Sequence, residues 1–206
     1  MKLAIFGATG GTGQQVVEQA LAAGHSVVAL VRDPAKVTTQ HPHLTLIQGN
    51  VLELADVVKT VNMVDGVICS LGNTANNPAM VVSAGTQNIV QGMRQKGVKR
   101  LIVISSLGVG DSKNQVGWLF KLIMWTFLRK AIRDKEEQEK LVRASGLEWT
   151  IIRPGGLVDG PRTGHYKASL DPSFMASRVV RADVAEFALS QLTDPIYLRK
   201  TPAIIS

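Results

Sequence analysis

The chain has 206 residues, 45% hydrophobic and 19% charged, with no internal repeat or low-complexity run, which bounds it to one ordinary globular core. Lysine and arginine outnumber aspartate and glutamate by 23 to 16, a formal net charge of +7. The basic residues are spread along the chain without a stripe interleaved with aromatics, so nucleic-acid binding is not expected. Cys69 is the only cysteine and the four histidines are scattered, which excludes an intrachain disulfide and leaves no cluster at metal-ligand spacing.

At the N-terminus, Lys2 precedes only four apolar residues before a run of glycines. That reads as a first strand and not as a signal peptide, and a cytoplasmic protein is the expectation. The stretch "KLAIFGATGGTGQQVV" passes from an apolar strand through a glycine-rich turn into a helix over 12–23. Gly7, Gly10 and Gly13 are spaced G-x-x-G-x-x-G, with Thr9, Gly11 and Thr12 between them. Glycine permits the tight turn and lets backbone come close to a pyrophosphate, whose charge is favoured at a helix N-terminus. The turn is therefore a candidate dinucleotide cradle.

Next comes "SVVALVR", whose Arg32 lies 19 residues after Gly13. An acid near this point holds the ribose hydroxyls of NAD, whereas an arginine grips the 2′-phosphate of NADP. "LTLIQG" follows and leads into Asn50 and Val51, which could flank an adenine, then a helix over 52–61. "GVICSLG" ends in Leu71 and Gly72, where backbone could approach the cofactor, and a helix over 79–96 follows. "RLIVISS" ends in Ser105 and Ser106, and after it come a helix over 131–144, "WTIIRPG", a helix over 182–192 and a final "PAIIS". The runs are short and apolar on consecutive positions, as in parallel strands covered on both faces. Alternation with helices predicts a single-domain α/β protein, a Rossmann-like doubly wound parallel sheet over 1–206 with helices on both faces.

The segments "GATGGTG", "LVRDPAK", "GNVLELADV", "GTQNIVQGMRQKGVKRLIVISS" and "LVRASGLEWTIIRPGGLVDGPRTGHY" together resemble an atypical short-chain dehydrogenase/reductase. Within that group the chain is similar to the branch of biliverdin-IXβ and NADPH-dependent flavin reductases. The resemblance implies NADPH as cofactor and a free flavin, or a linear tetrapyrrole such as biliverdin, as substrate in an open pocket. It places Ser106 beside the nicotinamide as the catalytic or orienting hydroxyl. Ser105, next to it, counts among the cofactor contacts but should face the other way until the strand ends. Pro154, Gly155 and Gly156 match the segment that closes over the nicotinamide. The chain departs from the group in two ways. The residues four beyond Tyr166 and Tyr197 are Leu170 and Thr201, so no Tyr-x-x-x-Lys pair exists, and if Lys135 marks the lysine position the tyrosine position is Ala131. Gly156 stands where the branch has a histidine, and His165 would have to reach in from another loop.

Without the tyrosine and lysine pair, alcohol and ketone chemistry is disfavoured, because an alkoxide needs a proton donor. A conjugated acceptor delocalises the incoming charge and takes its proton from solvent, so positioning does the work. The segment 117–130, "GWLFKLIMWTFLRK", is apolar around most of a helical circumference, with Trp118 and Trp125 on one face. It suits a core or subunit contact, a wall of the substrate pocket, or a membrane-surface helix, and is too short to span a bilayer. His165, Trp118 and Trp125 are candidate substrate contacts beside Ser106. The expected state is a monomer acting on a small molecule. A non-enzymatic NADP-binding regulator of the NmrA-like kind and a membrane-associated assembly factor are the alternatives.

Overall fold

The seven apolar runs form the strands expected of them in the computed structural model, which describes residues 1–73, 79–117 and 128–206. In chain order these are β1 (Lys2–Phe6), β2 (Ser26–Val31), β3 (Leu44–Gln48), β4 (Gly66–Cys69), β5 (Arg100–Ile104), β6 (Glu148–Pro154) and β10 (Ala203–Ile205). Three further strands of three residues each, β7 (Gly156–Val158), β8 (Lys167–Ser169) and β9 (Arg178–Val180), go beyond the expected set. They are too short, and too polar in β8, to carry a hydrophobic period. The helices are α1 (Gly11–Ala22), α2 (Leu54–Thr60), α3 (Val81–Lys96), α4 (Arg129–Arg143) and α5 (Arg181–Ser190).

The main sheet runs β3-β2-β1-β4-β5-β6-β10-β8. Every pairing in it is parallel except that of β10 with β8, which closes one edge antiparallel. β7 and β9 pair parallel in a small sheet of their own. The order reverses between β1 and β4, so the chain leaves these two strands in opposite directions and opens a crevice at their C-terminal ends.

Strand alternation explains why both faces needed apolar residues. Leu3 and Ile5 of β1 join Ala29, Ile68, Ile102 and Ile152 in one core, beneath Val16 and Val17 of α1 and Val184 and Phe187 of α5. Ala4 and Phe6 join Val28, Val67, Val103 and Ile151 in the other, beneath Val57 of α2, Ile89 and Met93 of α3 and Val142 of α4. Each fully buried Ile or Leu stabilises the fold by about 1.5–3 kcal/mol relative to exposure. Continuous apolar strands are the consequence of covering both sides.

Two buried carboxylates tie helix ends to distant chain. Asp134 of α4 accepts from the amides of Val82 and Ser83, at 3.1 and 2.8 Å, and so caps α3 from another helix. No side chain of its own caps α3, because Met80 stands at the cap position and has no side-chain oxygen to offer. Asp183, in the first turn of α5, accepts from Thr163 through backbone and hydroxyl at 2.8 and 2.6 Å and from the Gly164 amide at 3.1 Å. Burial works against its ionisation, but these hydrogen bonds outweigh burial and hold the carboxyl below its usual range. A lowered carboxyl pKa contributes stability that is complete above the unfolded value of 3.8 and fades as pH falls through the folded value. Asp183→Asn is expected to lower the melting temperature by several degrees at pH 7, on the order of 1–3 kcal/mol for buried donors left unmatched. The gap from wild type should narrow as pH falls below about 4, where the unfolded carboxyl takes up its proton, and should close once the folded carboxyl is protonated too. A gap that stays constant from pH 7 to pH 3 in thermal melts would show that ionised Asp183 is not what holds the loop.

Candidate functional site

The crevice between β1 and β4 opens into a cleft of about 570 Å³. Its floor is the turn from β1 into α1. Gly7 has φ +85°, and a Cβ there would lie 2.6 Å from the carbonyl oxygen of Ser70 at the end of β4. A Cβ on Gly13 would lie 2.0 Å from the Gly7 carbonyl oxygen, so neither position admits a side chain without moving backbone. The Ser70 hydroxyl donates to the carbonyls of Phe6 and Gly7 at 3.1 and 3.3 Å and locks the two strand ends together. No side chain caps α1 and no acidic residue stands in its first turn. The positive end of that helix dipole is thus left at the cleft, beside Thr9, Gly10, Gly11 and Thr12. A cradle without side chains at an uncapped helix N-terminus fits a dinucleotide diphosphate.

The adenosine end of such a ligand would meet the ends of β2 and β3. Arg32 lines the cleft, exposed and without an ion pair among the described residues. Its neighbour Asp33 is spent on the following turn, where its carboxylate accepts from the Ala35 amide at 3.1 Å. Asn50 and Val51 also line the cleft. Asn50 is fixed at both ends, its amide N–H donating to Asp56 at 3.0 Å and its side-chain oxygen accepting from Leu52 at 3.1 Å. The Val51 carbonyl accepts from Asn88 of α3 at 3.0 Å. Leu71 and Gly72 continue the wall beyond β4.

At the far end the two serines lie differently from the sequence-based expectation. Ser105 lines the cleft, and its hydroxyl donates to buried Glu139 at 2.7 Å. Ser106 is not part of the lining, and its hydroxyl turns back onto the Leu107 carbonyl at 3.2 Å. The chain leaves β5 at Ile104, so Ile104 and Ser105 both border the sheet edge and strict alternation no longer sorts them. Glu139 in turn accepts from Arg153 at 3.0 and 2.6 Å. Arg153 also pairs with Asp111, at the rim of a second, smaller cleft of about 340 Å³ on the other side of that network.

Pro154, Gly155 and Gly156 also fall outside the lining, where Leu157 stands instead. The absence of a side chain at Gly155 has a structural cause, since a Cβ there would lie 2.0 Å from the Ser177 carbonyl oxygen. His165 is exposed, its amide bonded to the Thr163 hydroxyl, and away from the cleft wall. Tyr166 packs edge-on to Phe187, and burial pushes its phenol up. Trp118 and Trp125, with the rest of 118–127, lie outside the described residues.

Two charged residues of the cleft wall were not among the candidate site residues. Lys135 of α4 lines the wall, and its ammonium donates to the carbonyls of Leu71 and Ile104 at 2.8 and 2.7 Å and to Gln138 at 3.2 Å. An ammonium has three donors, so all are spent on the protein. Burial lowers the Lys135 pKa, opposed by Cys69, Glu139 and Asp134 nearby. Arg181, the first residue of α5, reaches over Gly11 and pairs with Asp159 at 2.7 Å. Its signal in the sequence was an arginine at a helix start, where the dipole disfavours a cation.

Among the described residues no group of three or more His, Cys, Asp or Glu could hold a metal, and no helix is long and apolar enough to cross a membrane. The comparisons with known proteins agree with this geometry. An uncharacterised chloroplastic protein of Arabidopsis thaliana is 32% identical over 93% of this chain and 71% of its own. The solved structure of ChuY, an anaerobilin reductase from Escherichia coli O157:H7, superposes with a TM-score of 0.85 at 26% identity, covering 100% of this chain and 97% of that one. The photosystem II assembly factor Ycf39 of Synechocystis is 24% identical over 78% of this chain and 46% of its own. A family model described as NAD(P)H-binding matches residues 7–195. With its glycine cradle at the β1–β4 crevice, this chain belongs to the NAD(P)H-binding family, as an oxidoreductase-type Rossmann protein resembling the atypical short-chain dehydrogenase/reductases.

Proposed function

We propose that the protein is an NADPH-dependent reductase that passes hydride to a flat conjugated acceptor, first a free flavin and second a linear tetrapyrrole. The observation that carries this is Lys135 with every donor spent and alanine one turn before it at position 131. A lysine held that way is a strut between the ends of β4 and β5 and has no donor left for an acid partner. When bound, NADPH supplies the hydride and leaves as NADP⁺, and the reduced acceptor takes one proton from water. A conjugated acceptor meets that demand because its own π-system carries the charge. The glycine turn would hold the diphosphate, Arg32 the 2′-phosphate, and Asn50 and Val51 the adenine edge. That ChuY is named a reductase of anaerobilin supports an acceptor of this shape. A single-chain protein acting on small molecules in the cytoplasm completes the reading.

A binding role without turnover is the second reading, favoured by the likeness to an assembly factor and by the same missing acid. Oxidation of NADPH on addition of FMN, followed at 340 nm, separates the two. Turnover supports the reductase, and tight NADPH binding with no turnover across flavins, biliverdin isomers and quinones supports the binding protein.

Two predictions test the assignments. Arg32→Ala should weaken NADPH binding by roughly ten- to a hundredfold, the value of a charged hydrogen bond of about 1.5–3 kcal/mol, and barely change NADH binding. Equal losses for both cofactors in titration calorimetry would remove Arg32 from the 2′-phosphate. For the chemistry, Tyr166→Phe and His165→Ala should keep flavin reduction within about tenfold, below the roughly 10²–10⁴-fold of general acid–base catalysis. Ser105→Ala should cost more than Ser106→Ala. A thousandfold loss from the tyrosine or histidine change, in protein that still binds NADPH, would contradict protonation by solvent.

A further inference from the structure

Arg181 stands where electrostatics should exclude it. It opens α5, so its guanidinium sits at the positive end of its own helix. It also lies against the positive end of α1, where a Cβ on Gly11 would be 2.9 Å from its Cδ, 3.0 Å from its Nε and 3.8 Å from its Cζ. The two helices are clamped in this arrangement, with Gln19 of α1 donating to the Ala182 carbonyl at 2.8 Å. Two helix N-termini and a guanidinium thus converge on the wall of one cleft. The nearest carboxylates do little to offset them. Asp183, in the same first turn, is spent on Thr163 and Gly164. Asp159 does pair with Arg181, but its side chain is 89% exposed. A solvated pair of that kind contributes little, in keeping with exposed ion pairs generally.

We propose that Arg181 is a diphosphate-binding residue of the dinucleotide site and that Asp159 is its internal competitor, a carboxylate that holds the guanidinium until the diphosphate displaces it. The inference rests on the cofactor reading above and deepens it. A diphosphate is the anion that fits, because it can take the first-turn amides of α1 and the guanidinium together, which a single carboxylate on a surface loop cannot. Arg181 differs in kind from Arg32. A diphosphate is common to NADPH and NADH, so Arg181 raises affinity for both, whereas Arg32 discriminates between them. Asp159 follows directly on β7, whose Leu157 also lines the cleft, so release of the pair frees the segment at the cleft rim as the ligand enters.

The test is dissociation constants for NADPH, NADH and inorganic pyrophosphate, measured by calorimetry on wild type and on Arg181→Gln, Arg181→Lys, Asp159→Asn and the Arg181→Gln/Asp159→Asn double variant. Arg181→Gln is expected to weaken NADPH and NADH by the same factor, roughly ten- to a hundredfold, and to lose pyrophosphate binding. Arg181→Lys should recover part of the loss, since it keeps the charge without the fork. Asp159→Asn should tighten both dinucleotides by about two- to fivefold, the scale of an exposed ion pair, and have no effect when Arg181 is already glutamine. Should Arg181→Gln fail to fold by thermal melt, the lysine and Asp159 variants carry the same two expectations. The proposal is overturned if Arg181→Gln stays within twofold of wild type, if its loss is confined to NADPH, or if Asp159→Asn weakens binding or acts equally in both backgrounds. A wild-type chain that binds neither dinucleotide overturns the cofactor reading itself, which a silent Arg181 does not.

Discussion

The contact on which the site depends is the approach of the Gly13 backbone to the Gly7 carbonyl. A single methyl group there would lie 2.0 Å from that oxygen. With glycine, the first turn of α1 seats directly on the end of β1, and the Ser70 hydroxyl binds the same carbonyl from β4. The crevice at the switch point is therefore held by close backbone packing and the Ser70 hydroxyl, and the positive end of α1 faces the cleft with no carboxylate in its first turn. Everything that follows in the cleft is arranged around that exposed field: Arg32 at one limb, Arg181 above the turn, and no acidic residue in the first turn of α1.

The same constraint explains how much of the molecule could be read from its residues. Strands such as β1 and β5 are buried on both faces, so their apolar runs are continuous and their positions follow from composition. The glycine turn was legible because its chemistry is local. Arg32, Asn50 and Val51 were legible because the end of a parallel strand is a fixed place in this topology. What escaped was the placement of groups brought in from far along the chain, Lys135 among them, which the sequence marked only as a lysine position. Arg181 reaches Gly11 only because α5 packs on α1, and Lys135 reaches the wall only because α4 crosses the ends of β4 and β5. The serine pair shows a third limit. The family resemblance puts Ser106 at the cleft and alternation turns Ser105 away from it, but the strand ends at Ile104 and the turn that follows presents Ser105.

Gly155 shows that a family motif can be kept for packing alone. The close approach of Ser177 to Gly155 requires glycine whether or not a nicotinamide is ever bound, since an added Cβ would meet its carbonyl oxygen at 2.0 Å. Glycine at 155 is thus evidence for the β7–β9 pairing that begins one residue later. It carries no independent weight for the cofactor.

The hydroxyl that does border the cleft is constrained in a way that bears on the chemistry. Ser105 has one proton, and that proton is given to Glu139, a buried carboxylate itself gripped by Arg153. The hydroxyl therefore has nothing left to donate to a ligand. Lys135, in the same wall, has no donor to spare either. These two side chains thus have no donor left for a ligand and supply it no acid. On the proposed reading, an alkoxide would find no donor on Ser105 or Lys135, whereas an extended π-system delocalises the incoming charge until water protonates it. The polarity of these hydrogen bonds supports the proposed conjugated acceptor.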